Sequence, residues 1–333
     1  MIRTTVNGRS ARRPALLACL TLAAGLLIVG GPASPSAAGP PDGASSVAEC
    51  TTVAQPTARS RPGQNGSDPN DLSPRDVQSA EAAVSQRLAA KGLSANSRIA
   101  LPKLTVDVRV HVITRDDGSG GVSTAAIRKQ IDVLNAAFAG KTWAGSAPTV
   151  FRFVTKSIDY TRNTDWYNWS LDFDDDDAKA KAALHKGGRD DLNIYITGLE
   201  NYLGYAYYPW EASLVQDGVV MLNSSLPGGS SVPYNEGDTA THEVGHWLGL
   251  YHTFENGCTA PGDGVSDTPY QFDGDNIFYC NESDNTCAAP GKDPVHNFMS
   301  YGDDPCLDRF TRVQALRMAL TWFTWRSSIT LLP

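Results

Sequence analysis

The segment HEVGHWLGLYH, residues 242–252, carries residue types at the spacing of a metal centre. Four residues of an α-helix turn by about 400°, so His242 and His246 lie one turn apart on one face, where two imidazoles can share one Zn²⁺. Glu243 lies beside that face, where a carboxylate can take a proton from a water on the metal and pass it to a leaving amine. Types and spacing together predict metal-assisted hydrolysis of an amide.

A third ligand is available six residues after His246, but only if the helix stops. Gly249 tolerates the left-handed conformation that ends helices, so the chain can turn there and bring His252 back to the same ion. Three nitrogens leave the fourth position of a tetrahedral zinc open for water, which is typical of catalytic rather than structural zinc sites. We therefore expect one catalytic Zn²⁺.

The amino-acid composition excludes some classes of binding partner. The chain has 333 residues, of which 41% are hydrophobic and 19% charged, as in a globular protein. The 28 Lys and Arg are outnumbered by 36 Asp and Glu, so a basic footprint for nucleic acid or anionic lipid is missing. Residues 190–291 contain no Lys or Arg, and that acidic stretch should attract cations. We expect no nucleic-acid partner, no stable membrane association and a monomer.

Three segments are expected along the chain. Residues 1–38 combine an arginine-bearing start with an apolar run too short to span a bilayer, which predicts a signal peptide and a secreted protein. A lipoprotein signal at Cys19 is the alternative. Residues 39–97 are rich in Pro, Ser and Gly with one helical patch, Val77 to Leu93, and read as a propeptide or leader. Residues 98–333 read as the catalytic domain, and removal of the leader near Arg61 or near Arg98 is left open.

The elements that must position the metal site follow from periodicity. Strands are predicted at 104–114, 149–158, 192–199, 203–209 and 217–222, and helices at 123–138, 238–248 and 310–323. The pairing of strands with helices indicates an α/β (α+β) layer. The acidic run 172–177 is expected to be a solvated turn.

The zinc segment together with NFMSYG (297–302) is similar to the metzincin metalloproteases. The finer resemblance, over about 98–333, is to the pappalysin family, including ulilysin-like secreted bacterial enzymes. Its marks are LGYAYYP (203–209), Trp247, and GDGVSDTP (262–269) in this order before the methionine segment. The resemblance implies a metzincin fold: a twisted mixed five-stranded sheet with a backing helix, and the zinc helix above the cleft. Below the cleft it implies an irregular, disulfide-stapled half that ends in a C-terminal helix.

The same resemblance implies roles for individual residues. His242, His246 and His252 become zinc ligands, and Glu243 the general base and acid. Met299 becomes the methionine turn, a floor beneath the metal that does not bind it. Tyr301, two residues later, would supply a hydroxyl near the metal or the oxyanion.

The strand containing Gly204, Tyr205, Ala206 and Tyr207 would be the edge of the sheet along the cleft. Its backbone could bind an extended peptide by strand addition. A plain edge strand shielded by the bend at Pro209 is the alternative.

A calcium site is expected in GDGVSDTP, where Asp263, Asp267 and Thr268 offer hard oxygen ligands. An ordinary Asp-Gly turn is the alternative.

Four of the six cysteines, at 258, 280, 287 and 306, cluster in the irregular region, and an exported even set implies two disulfides. Three pairings are open by count, and the family resemblance favours Cys258–Cys287 and Cys280–Cys306. Cys50 is left in the leader. Its thiolate could occupy the open zinc position until the leader is removed, a latency switch seen in some metzincins, or it could be an incidental thiol.

The sequence thus predicts a secreted zinc endopeptidase, made as a latent precursor, that acts on proteins or peptides through a zinc-bound water activated by Glu243. A secreted zinc-containing peptide-binding protein without turnover, and a metzincin of another branch, are the alternatives. Three acidic residues that follow the methionine turn, Asp303, Asp304 and Asp308, suggest a preference for Arg or Lys just after the scissile bond.

Overall fold

The computed structural model describes residues 57–59, 72–94, 102–169, 175–199 and 201–327. We call 102–327 the main body and 39–97 the leader. The predicted signal peptide, Cys50, and the two suggested processing points lie outside the described residues. No helix in the described part is long and apolar enough to cross a membrane.

The main body is built on a mixed sheet. Its five strands, in chain order, are β2 (Leu104–Thr114), β3 (Phe151–Arg162), β4 (Asp191–Thr197), β5 (Gly204–Ala206) and β6 (Val219–Leu222). Strands β3, β2, β4 and β6 run parallel, and β5 pairs antiparallel with β6. The five predicted strands are all confirmed, although β3 extends further than predicted and β4, β5 and β6 are shorter.

A sixth strand comes from the leader. Strand β1, Thr57–Arg59, pairs antiparallel with β5, and the order in the described residues is β1-β5-β6-β4-β2-β3. The outer edge of β5, expected to be open, is therefore covered by the leader.

Helices cover both faces of this sheet. Helix α2 (Thr124–Phe138) and helix α5 (Asp238–Trp247) bury their apolar sides in the main core with β2, β4 and β6. Helix α6 (Arg312–Thr321) closes that core and continues as a π-helix, Trp322–Arg326. The short α3 (Thr164–Tyr167) and α4 (Asp175–Leu184) lie at the second core on the opposite face.

The acidic run was wrongly expected to be only a solvated turn. Its end, from Asp175, begins α4, and Lys181 of that helix is fully buried. Asp177 pairs with the Lys181 ammonium at 3.1 Å and accepts the Tyr207 hydroxyl at 3.1 Å. The Lys181 ammonium also lies 4.9 Å from the ring centroid of Tyr205. Asp177 is therefore the counter-ion of a buried lysine, and not part of a solvated face.

Below the cleft the chain is irregular from residue 248 to α6, apart from a 3₁₀ turn at Asp275–Phe278. Disulfides Cys258–Cys287 and Cys280–Cys306 link this region, which confirms the pairing that the family resemblance implies. Cross-links of this kind stabilise a loop-rich half mainly by restricting its unfolded chain.

The second described part of the leader is helix α1, Pro74–Ala90, where the sequence predicts a helical patch. Ser73 caps its first turn by accepting the N–H of Asp76 at 3.2 Å. Val77, Val84 and Leu88 share one face and are buried against the main body. The leader therefore contacts the main body at two separate places, through β1 and through α1.

Candidate active site

Helix α5 carries two of the three predicted metal ligands and is buried along its whole length. It begins after Gly237, whose φ of 109° is in the left-handed region. Val244 and Trp247 anchor the helix in the main core, and this leaves the face with His242 and His246 towards the irregular half.

The three histidines converge. The Nε2 atom of His246 lies 3.0 Å from Nε2 of His242 and 3.1 Å from Nε2 of His252. Two nitrogens that bind one Zn²⁺ at its usual bond length lie about 3.3 Å apart, so the spacing fits a shared metal ion. All three side chains are fully buried.

Backbone carbonyls fix the orientation of the two helix ligands. Nδ1 of His242 donates to the carbonyl of Phe298 at 2.6 Å, and Nδ1 of His246 donates to that of Leu250 at 2.8 Å. A donor at Nδ1 leaves the lone pair on Nε2, which is the tautomer that a metal ligand needs.

Burial also favours the neutral ligand state. Burial lowers the pKa of His246 from 6.5 to about 3. Burial and then the neighbouring imidazoles lower the pKa of His242 and of His252 well below 6.5. The donor set is therefore uncharged at neutral pH, as metal binding requires.

The turn after α5 brings in the third ligand as predicted. Gly249 has φ 89°, and a Cβ at this residue would lie 2.8 Å from the side chain of Thr321. The N–H of Leu250 then donates to the carbonyl of Gly245 at 3.0 Å, which closes the turn. His252 follows and stacks on Phe254 with the ring centroids 4.7 Å apart.

The side chain of Glu243 extends from helix α5 towards β5. It is fully buried, and a Cβ at Gly204 would approach its Cγ to 3.0 Å. Glycine at residue 204 therefore lets the strand pass close to the carboxylate side chain. A buried carboxylate on the helix that carries two of the histidines can exchange protons with a group that reacts at this site.

Met299 packs against helix α5 at Gly245, between the two predicted ligands of that helix. It is fully buried, and a Cβ at Gly245 would lie 2.3 Å from its Sδ, so only glycine fits above the sulfur. Its N–H donates to Asn297 Oδ1 at 2.9 Å, and its carbonyl accepts the N–H of Thr253 at 3.1 Å. The methionine turn thus ties the chain after His252 to the floor of the site.

Tyr301 reaches the same cluster. Its ring centroid lies 4.8 Å from that of His252 and 5.8 Å from that of His242. It also stacks on Phe278 at 5.6 Å. The ring is thus packed against two of the three histidines.

A cation pocket lies beside the zinc helix, and sequence reasoning missed the residue that fills it. Arg59 of β1 is fully buried and pairs with Asp304 through Nη1 at 3.2 Å. Its Nη2 donates to the carbonyl of Gly302 at 2.6 Å, and Nη1 donates to Thr239 Oγ1 at 3.3 Å. The guanidinium lies 5.4 Å from the ring centroid of Tyr234.

Asp304 is held in place by the start of the zinc helix. Its Oδ2 accepts the N–H groups of Glu236, Gly237 and Asp238 at 2.8, 3.0 and 3.4 Å. A helix N-terminus stabilises a carboxylate, which leaves Oδ1 directed at the guanidinium. Of the three acidic residues singled out by sequence, Asp304 makes this contact, whereas Asp308 pairs with its neighbour Arg309.

The strand predicted to bind peptide is β5, and its outer edge pairs with β1. Ala58 is opposite Tyr205 and Arg59 is opposite Gly204. The rings of Tyr205 and Tyr207 are buried in the second core, on the opposite face of the sheet. Strand β5 therefore presents backbone groups to β1, while Tyr205, and Tyr207 just after the strand, anchor it on the opposite face of the sheet.

The proposed calcium ligands are only partly brought together. Thr268 Oγ1 donates to both carboxylate oxygens of Asp263 at 2.7 Å. Asp267 instead accepts the N–H of Val313 at 3.0 Å, at the start of α6. The loop is thus tied to itself and to α6 through these side chains.

The fold and this three-histidine site define a metal-dependent peptidase with a metzincin fold. The family model described as pregnancy-associated plasma protein-A matches residues 188–321. An extracellular metalloprotease of Colletotrichum graminicola is 44% identical over 247 residues, covering 70% of this chain and 84% of the relative. Extracellular metalloprotease 1 of Coccidioides posadasii is 38% identical, covering 67% and 79%. The chain belongs to the pappalysin family.

Solved structures agree with this assignment. A promirolysin mutant of Tannerella forsythia superposes with a TM-score of 0.60 and 26% identity, covering 75% of this chain and 92% of that one. Mature mirolysin in complex with a cleaved peptide gives a TM-score of 0.56 and 28% identity, covering 66% and 91%. The likeness includes both a precursor and a mature form.

Proposed function

We propose that the protein is a secreted zinc endopeptidase, made as a latent precursor, that cuts proteins or peptides before a basic residue. The observation that supports it most is the combination of three convergent neutral histidines with a buried glutamate beside the strand edge. Relatives named extracellular metalloproteases support export.

Zinc is the metal that the donor set fits best, because three imidazoles with an open fourth position match its coordination. When bound by His242, His246 and His252, zinc would supply Lewis acidity for the scissile carbonyl and lower the pKa of a water molecule. Glu243 takes the proton of the attacking water and delivers it to the leaving amine. The Tyr301 hydroxyl stabilises the developing negative charge on the carbonyl oxygen.

The peptide lies along β5 in the place that β1 occupies in the precursor. Antiparallel backbone pairing supplies affinity that is largely independent of side chains. Selectivity then comes from the cation pocket, because Asp304 leaves one carboxylate oxygen directed into it. We assign this pocket to the residue that follows the scissile bond, and expect Arg or Lys there.

Latency follows from the same geometry. While Arg59 fills the pocket and β1 covers β5, a substrate cannot use either of them. Cys50 precedes the first residue of this strand by seven positions and remains our candidate for the open metal position. The calcium site also remains a proposal, supported by the oxygen-rich Asp263–Thr268 loop.

The test is cleavage of casein and of a quenched peptide containing Arg by the processed protein, beside Glu243→Ala, with zinc quantified in both. We expect cleavage by the parent, one zinc in each protein, and a loss of activity of at least about a thousandfold in the variant. Equal zinc without cleavage by the parent would contradict the enzyme and favour a peptide-binding protein.

A further inference from the structure

The turn that follows the zinc helix is held from outside the site by an arginine of the last helix. Nε of Arg317 in α6 donates to the carbonyl of Gly249 at 2.8 Å. The next residue, Leu250, accepts Nδ1 of His246 at 2.8 Å, and His252 follows two residues later. Arg317 therefore contacts the backbone that orients one metal ligand and delivers another.

Arg317 is itself fixed by the leader. Its Nη2 donates to Oε1 of Glu81 at 2.5 Å and its Nη1 to Oε2 at 3.2 Å. The side chains are 11% and 29% exposed. A two-pronged arginine–carboxylate pair that is largely shielded from water holds the guanidinium in one orientation, which a single exposed contact would not do.

Helix α1 places this carboxylate rigidly. Val77, Glu81, Val84 and Leu88 recur at helical spacing and share one face. Val77 is fully buried in a cluster with Tyr208 and Tyr251, and Leu88 in one with Leu320. Glu81 therefore lies on the packed face of α1, where it pairs with Arg317.

We propose that Glu81 is a positioning residue of the metal site, acting through Arg317 on the Gly249 turn. The proposal rests on the proposed function, because it assigns Glu81 to the zinc centre of that enzyme. It requires helix α1 to stay in the mature protein, so processing ends N-terminal to Leu72. The leader as predicted from sequence, 39–97, would then contain a permanent part of the enzyme.

The test is the rate at which zinc leaves the processed protein into excess chelator. We compare the parent with Glu81→Gln, which keeps the shape but removes the charge, and with Glu81→Asp, which keeps the charge at shorter reach. Loss of such outer partners typically costs 10–100-fold in metal affinity, so we expect about tenfold faster release for Glu81→Gln. Glu81→Asp should be intermediate, and Gln86→Ala, on the exposed side of α1, should match the parent.

A purely structural role is separated by Val84→Ala, which loosens α1 while leaving Glu81 in place. That variant should lower the Tm and leave zinc release near the parental rate. Parental release from Glu81→Gln, or equal acceleration by Val84→Ala at temperatures where both are folded, overturns the proposal. If Glu81→Gln does not fold, parental release from Glu81→Asp does the same. A parent that binds no zinc would instead refute the proposed function.

Discussion

The two described parts of the leader contact the main body in opposite ways. Strand β1 is three residues long, and the side chain that anchors it, Arg59, ends in a polar pocket. Helix α1 has 17 residues and buries three aliphatic side chains in aromatic and aliphatic surface. The polar pocket that binds Arg59 can bind a cation of a substrate in its place. The apolar side chains of α1 would become exposed to water if the helix left, and nothing would replace their burial. The difference suggests that β1 is built to be replaced and α1 to remain.

The cation pocket gives the largest expected effect. In the processed protein, Asp304→Asn removes the charge that faces the pocket, and a lost partner of a buried charge pair costs about 2–5 kcal/mol. We expect kcat/KM for a peptide with Arg after the scissile bond to fall roughly 100-fold. The matched control is the same peptide with norleucine in place of Arg, for which kcat/KM should fall little. An equal fall for both peptides would contradict the pocket assignment.

Removing the anchor of β1 should have the next largest effect. Arg59→Ala deletes the ion pair with Asp304, so the precursor should become active about tenfold faster, measured as the lag before quenched-peptide cleavage. Arg75→Ala, on the exposed side of α1, is the control and should keep the parental lag. An unchanged lag in Arg59→Ala would show that β1 does not limit activation.

The helix should instead govern stability, before and after processing. Leu88 is 3% exposed, so Leu88→Ala should cost about 2–3 kcal/mol in free energy of unfolding. In a protein of this size that lowers the Tm by about 6 °C. The fall should be the same in precursor and processed protein, because α1 is retained. A fall confined to the precursor would show that α1 does not stay on the processed protein.

The smallest expected effect is on the pH dependence of stability, to which Glu211 contributes. Burial, and to a lesser extent Asp76 of α1, raises the pKa of Glu211 from 4.5 to about 8. The folded protein therefore holds this proton where the unfolded chain has lost it, so stability falls as pH rises from about 4.5 through 8. Glu211→Gln should remove this loss. Between pH 5 and pH 8.5 its free energy of unfolding, measured with urea, should fall by about 1 kcal/mol less than that of the parent.

The exposed Asp132 in the middle of α2 offers the matched control for this change. Asp132→Asn should leave the pH dependence of the parent intact. If Glu211→Gln follows the parental curve, Glu211 ionises in the folded protein as it does in water.

The metal site was the part most accessible to sequence reasoning. His242 and His246 follow from helical spacing, and His252 needs only the local break at Gly249, so all three depend on residues close in sequence. The five strands of the main body were predicted for the same reason, since alternation is a local signal.

What was missed depends on contacts between distant residues. Arg59 and Asp304 are 245 residues apart, and no local pattern distinguishes Arg59 from the other arginines of the leader. The acidic run that begins α4 is typical in sequence of a solvated face, because its partner, Lys181, is buried only once the second core has formed. Glu81 was an ordinary helix residue until α6 placed Arg317 against it. Each of these ion pairs can be recognised only when the burial of its side chains is known, and burial depends on the whole fold.

The different fates of β1 and α1 are tested most directly by following intact mass and peptide cleavage in one sample of the precursor as it becomes active. We predict that activity rises in step with loss of the segment that carries Arg59, while the fully active chain still contains Pro74–Ala90. Full activity with Arg59 still attached, or activity only after α1 has been removed, would contradict the division of the leader into a replaceable strand and a permanent helix.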